Sequence, residues 1–171
     1  MPGARWFPEV RLNFARNLLR RQDSAPALIF QAEDKVTRSL NHADLYRQVA
    51  GLAGALQQAG IVPGDRVCGF MPNMPETVVA MLASAAIGAV WSSCSPDFGV
   101  QGVLDRFGQI SPRVLFSADG YWYNGKVHNS LEKLREIEKG LPSLERTVVV
   151  PLVSSDPDLS GNPGAERITD F

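Results

Sequence analysis

Leu45, Val49, Leu52 and Leu56 recur three or four residues apart, which predicts one buried face on a helix. Asn41 stands before that run as an N-cap, with Asp44 at the third helical position in a capping-box-like arrangement, and Gly60 closes it. Pro63-Gly64-Asp65 turns the chain into residues 66–71, an almost unbroken apolar run that reads as a short buried strand. Pro75 suits the first turn of a second helix, and Glu76 favours its N-terminal dipole. Residues 78–86 are apolar nearly all round, so this helix is expected to lie between a sheet and another layer.

Residues 88–92 predict the next strand. Val100, Val103, Leu104, Phe107 and Ile110 mark a third helix, and residues 113–117 another strand. The stretch 121–128 reads as an aromatic, glycine-containing loop. Asn129, with Glu132 three residues on, begins a fourth helix carrying Leu131, Leu134 and Ile137. Residues 147–150 form a β-branched strand, and 154–164, rich in Ser, Asp, Pro and Gly, an exposed loop. Upstream, residues 27–31 have strand character and 35–40 return beside them as a hairpin. Residues 1–24 are a basic, aromatic lead-in in which 13–21 form a short helix and Trp6, Phe7, Leu12, Phe14, Leu18 and Leu19 are candidates for burial. Short strands alternating with longer helices imply βαβ units, hence an α/β fold with a mostly parallel sheet flanked by helices.

Composition narrows the partners. The chain has 171 residues, enough for one domain burying roughly 70% of its unfolded surface. Seventeen basic and eighteen acidic residues leave a net charge of −1 with no polybasic block, against a nucleic-acid or membrane partner but not against one cation meeting one phosphate. The longest mostly apolar stretch, 78–91, is too short for a bilayer, and the N-terminus lacks a signal-peptide core. Two distant cysteines suggest reduced thiols and a cytoplasmic location.

Candidate chemistry gathers at VWSSCSPDFG, residues 90–99. Phosphate-loop, dinucleotide, zinc-protease and nucleophile-elbow motifs are all missing, and neither His42 nor His128 has a ligand at metal spacing. Asp97-Phe98-Gly99 is spelled like the kinase magnesium motif, yet the accompanying catalytic loop and strand lysine are not there. A plainer expectation has Asp97 capping the next helix, Phe98 packing and Gly99 relaxing the turn. Cys94 at a helix start lacks a base and an orienting partner, and Cys68 reads as core. Position says more: ligands of open α/β sheets bind beyond the strand C-termini, where residues 93–99, Pro72-Asn73 and 119–126 are expected to lie, Lys126 adding a cation.

The stretch GIVPGDRVCGFMPNMPETVVAMLASAAIGAVWSSCSPDFG resembles the N-terminal core of the adenylate-forming acyl-CoA synthetases. RWFPEVRLNFARNLL and AVWSSCSPDFGVQGVLDRFGQISPRVLFSADGYWYNGK are similar, within that superfamily, to the acetoacetate–CoA ligase family. The resemblance implies activation of acetoacetate with ATP and Mg2+, then thioester formation with CoA. It also implies that the backbone of Ser95, Pro96 and Asp97 walls the CoA nucleotide and that Lys126 faces a phosphate. Tyr123 falls where such relatives commonly have arginine and Asp97 where they have glycine, so those side chains are not carried over. The phosphate loop, the aromatic-Thr-Glu motif, the ribose-binding Asp motif and the C-terminal lysine domain are not in the sequence. The expectation is a fragment: residues 1–24 as lead-in, 25–171 as a partial large domain of an adenylate-forming enzyme, inactive alone, with no catalytic or metal residue. Apolar residues near its end, Ile168 and Phe171, are expected to lack cover, and the chain to self-associate. Two other readings stay open: a stand-alone nucleotide- or CoA-binding module of flavodoxin-like architecture, and a non-catalytic interaction protein.

Overall fold

The computed structural model describes residues 2–171. Two elements precede the sheet: α1 (Phe14–Leu18), and a hairpin of β1 (Pro26–Ala32) and β2 (Val36–Asn41) paired antiparallel. Asn41 accepts the Asp44 N–H at 2.7 Å and opens α2 (His42–Gln58), whose buried residues are Leu45, Val49, Leu52 and Leu56, the predicted face. The alternating part follows as β3 (Arg66–Phe70), α3 (Pro75–Ala86), β4 (Val90–Cys94), α4 (Val100–Phe107) and β5 (Val114–Ala118). A second hairpin, β6 (Gly120–Tyr123) and β7 (Lys126–Asn129), leads to α5 (Leu131–Gly140), β8 (Arg146–Val150) and β9 (Ala165–Arg167).

Five parallel strands form one sheet in the order β4-β3-β5-β8-β9. The chain starts at β3, steps outward to β4, then crosses back to β5 and continues the other way. Right-handed crossovers running in opposite directions must cover opposite faces. The core divides accordingly. Val67, Met71, Val114, Phe116, Val148 and Val150 pack with α2 and α3, whereas Cys68, Phe70, Leu115 and Val149 pack with α4 and α5. Helix α3 is indeed enclosed, and its buried Ser84 hydroxyl donates to the Ala80 carbonyl at 2.8 Å. On the same face Gly69 is required by its neighbour, because a Cβ there would lie 2.6 Å from the Trp91 ring.

Several expectations change. Helix α1 is shorter than 13–21, and within the lead-in only Ala15 and Leu19 are buried; Trp6 is 74% exposed, Phe7 76% and Leu12 75%, with Phe14 and Leu18 also exposed. Its N-cap Asn13 binds the carbonyls of Ala85 and Ala86, so the segment is fixed by polar contacts to the end of α3. Residues 121–128 are a hairpin, not a loop: Asn124 (φ 52°) and Gly125 (φ 70°) supply the two left-handed positions of a tight hairpin turn. Strand β4 runs on to Cys94, in register with Phe70. Residues 154–164 bury Pro157 and Asn162 and lead into β9, a strand the sequence did not predict. Nor is Phe171 uncovered: its ring meets Phe116 edge-on, with centroids 6.0 Å apart. Among the described residues no helix is long and apolar enough to cross a membrane.

Candidate functional site

The strand order reverses between β3 and β5, and the loops beyond the C-terminal ends of these strands form the edge where open α/β sheets bind ligands. Four segments meet there: 71–74 after β3, 95–99 after β4, 119–130 after β5 and 151–154 after β8. After β3, the Met74 N–H and the Thr77 hydroxyl both donate to the Pro72 carbonyl, closing a tight turn that leaves Asn73 exposed.

Ser95, Pro96 and Asp97 form a turn closed by the Phe98 N–H donating to the Ser95 carbonyl at 3.2 Å. Pro96 is buried, while Ser95 and Asp97 are exposed. Asp97 does not cap α4; Gly99 occupies that position. The Asp97 carboxyl instead takes a hydrogen bond from Ser95, which holds it below its ordinary value, helped by its own N–H and by the charge of Lys133. Phe98 packs on the α4–α5 core, and the Arg106 guanidinium lies 4.6 Å from its ring centroid. From α5, Lys133 Nζ donates to the carbonyls of Pro96 and Phe98, each at 3.2 Å. That lysine was invisible in the sequence, because its partners are main-chain oxygens more than thirty residues earlier.

Lys126 is exposed on β7, opposite Tyr123, and makes no ion pair among the described residues. Its neighbour Gly125 donates to the Glu33 carboxylate at 3.1 Å, tying the hairpin tip to the β1–β2 turn. At the base of the same hairpin, Tyr121 stacks on His128 with ring centroids 5.0 Å apart. Burial, and then the negative charge of Asp97, raises the Tyr121 hydroxyl above its ordinary value. The Asn-Gly pair at 124–125 was the sequence signal for this hairpin.

Asp119 is 6% exposed and is consumed by structure: its carboxylate accepts the N–H groups of Leu152, Val153 and Ser154 at 2.7, 3.1 and 2.7 Å. Cys94 is buried and its thiol pushed up by that burial, which disfavours the reactive thiolate. A cleft of about 700 Å3 lies between α1 and α2 and is lined by Arg16, Arg20, Tyr46 and Ala86. Ala86 ends α3 next to the start of β4, so this cleft is at the opposite edge from the turn. Among the described residues no three His, Cys, Asp or Glu side chains gather to hold a metal.

A doubly wound parallel sheet with its candidate turns at the point of reversal defines an α/β domain, and comparison specifies the class. The family described as "AMP-binding enzyme" matches residues 14–169, and the chain belongs to it. It is 52% identical over 172 aligned residues to the acetoacetyl-coenzyme A synthetase of Rhizobium meliloti (strain 1021), covering 100% of this chain and 26% of that protein. To the acetoacetyl-CoA synthetase of Macaca fascicularis it is 46% identical over 97% of the chain and 25% of the relative. The solved acetoacetyl-CoA synthetase from Streptomyces lividans superposes with a TM-score of 0.87 at 46% identity, over 98% of this chain and 26% of that one. The chain therefore spans about a quarter of the length of the relatives it matches.

Proposed function

We propose that this chain is part of an ATP-dependent acid–thiol ligase that converts acetoacetate and coenzyme A to acetoacetyl-CoA through an acyl-adenylate. The observation that carries this reading is the likeness, along the whole chain, to proteins named acetoacetyl-CoA synthetase within a family named for AMP binding. The chemistry is economical. A carboxylate is a poor acyl donor; its attack on the α-phosphate of ATP releases pyrophosphate and makes AMP the group that the CoA thiolate displaces. In this reading residues 25–171 belong to the large domain and 1–24 lead into it.

The backbone of Ser95, Pro96 and Asp97 then walls the nucleotide end of coenzyme A, and Lys126 faces one of its phosphates. An exposed lysine suits that role, since a hydrated, flexible ammonium meets an anion without the cost of prior burial. No step through magnesium is assigned to these residues, among which, as far as they are described, no three His, Cys, Asp or Glu side chains gather. The sequence has no glycine-rich phosphate loop either, so the adenylation step lies outside these 171 residues. Two buried, unpaired thiols suit a reducing compartment, and the cytoplasm is the location this reading favours.

Purified chain supplied with acetoacetate, ATP, magnesium and CoA is expected to release no pyrophosphate; sustained release would overturn its inactivity. Exchanged for the matching quarter of the Rhizobium meliloti relative, the chain is expected to support acetoacetate-dependent AMP formation, and a folded chimera without turnover would sink the ligase reading. A second reading, a self-sufficient nucleotide or CoA module, has the flavodoxin-like strand order in its favour. Micromolar binding of ATP or FMN by the isolated chain, measured by calorimetry, would favour that module.

A further inference from the structure

We propose that Lys133 is the positioning residue of the 95–98 turn, its ammonium fixing the main chain that faces the nucleotide end of coenzyme A. The proposal deepens the assignment of this turn to CoA and rests on it. Lys133 is half-buried on α5, one helix away from the turn it holds. A lysine on a helix surface ordinarily keeps its ammonium in water; here two of its three donors are spent on carbonyls at 3.2 Å. Holding a long side chain in one geometry costs its rotamer freedom, so the contact is a constraint on the turn rather than an incidental one.

The constraint has a direction. Turning the Pro96 and Phe98 carbonyls onto one cation removes two negative dipole ends from the surface that an anionic nucleotide approaches. Phe98 is held separately, by Arg106 from α4, so the two helices clamp the side chain and the main chain of one turn. The apolar core beneath is made by other side chains, Cys94, Phe107 and Leu134 among them, and Lys133 is not part of it. Lys133 thus has little to add to global stability and much to add to the shape of the turn.

The test uses the intact 171-residue chain. Amide hydrogen exchange and calorimetric titration with coenzyme A are run on the wild type, Lys133→Met, Lys133→Arg and, as a control on the same helix, the exposed Lys139→Met. In Lys133→Met, exchange across residues 95–99 is expected to rise about ten-fold while the sheet and α5 keep their protection. CoA affinity is expected to fall about ten-fold in the same variant, Lys133→Arg to recover most of both losses, and Lys139→Met to change neither. Unchanged exchange at 95–99 would overturn the proposal. So would a loss of protection spread evenly over α5 and the sheet, the mark of a merely structural lysine. A wild-type chain that takes up no coenzyme A, although its turn loosens in Lys133→Met, would place the failure in the assignment of the turn to CoA, and the proposal falls with it.

Discussion

Cys68 shows how strongly a single position is set by its surroundings. It is fully buried on β3 and burial pushes its thiol up to about 12 from an ordinary value of 9.0; Cys94, immediately before the candidate turn, is raised for the same first reason. Neither thiol is therefore expected to react with an aromatic disulfide reagent at neutral pH until the chain is unfolded in urea, which a stopped-flow absorbance trace would show. The sign of the pH effect follows from the raised value. Above 9.0 the unfolded chain loses a proton that folded Cys68 retains until about 12, so unfolding free energy should decline through that window. The slope is about 1.4 kcal/mol per pH unit for one such group, and Cys68→Ala should flatten it in urea titrations. The same burial explains why the cysteine of WSSCSPDFG carries no chemistry while the main chain beside it remains available.

Between elements, Asp119 joins the end of β5 to the loop after β8 through three backbone amides. Asp119→Ala would leave those donors without an acceptor and is expected to cost about 2–4 kcal/mol. Thermal unfolding measures the cost, and exchange should rise first at residues 152–154. Most helices and strands were legible because their apolar pattern matches what they bury, one face in α2 and every residue in β5. The exceptions have physical causes. Residues 121–128 carry aromatic side chains on a hairpin that is only partly buried, so its pattern is weak, and only Asn124-Gly125 announces it. Strand β9 is three residues long and pairs with Thr147, Val148 and Val149 of β8, a partnership with no local signature. At the candidate site, Ser95–Asp97 could be placed beyond a strand by counting elements, whereas Lys133 could not, since hydrogen bonds to carbonyls leave no trace in residue type.

At the scale of the molecule, a net charge of −1 conceals a segregated lead-in: Arg5, Arg11, Arg16, Arg20 and Arg21 against Glu9 as the one acid before residue 22. Its large apolar side chains stand in water, Trp6 at 74% and Leu12 at 75% exposure, in one short segment. Exposed apolar surface of this kind drives association. Sedimentation velocity is expected to show concentration-dependent oligomers for the wild type, and the triple change Trp6→Ser, Phe7→Ser, Leu12→Ser to shift the boundary toward monomer at constant unfolding midpoint. An unaltered boundary would mean that this segment does not mediate contact. At the opposite end Phe171 packs its ring edge-on against Phe116.

What the sequence by itself determined is the alternation of elements and the family, since these depend on periodicity and on residue identities along the chain. Only the tertiary structure decided which chemistry-bearing groups remain free. Folding spends Asp119 on three amides and both thiols on the core, and it leaves Lys126 exposed. It also brings Lys133 onto the Pro96 and Phe98 carbonyls from a different helix. The reason is physical: hydrogen bonds and burial are made between positions far apart in sequence, and a residue's type states what it can donate or accept but not what it meets.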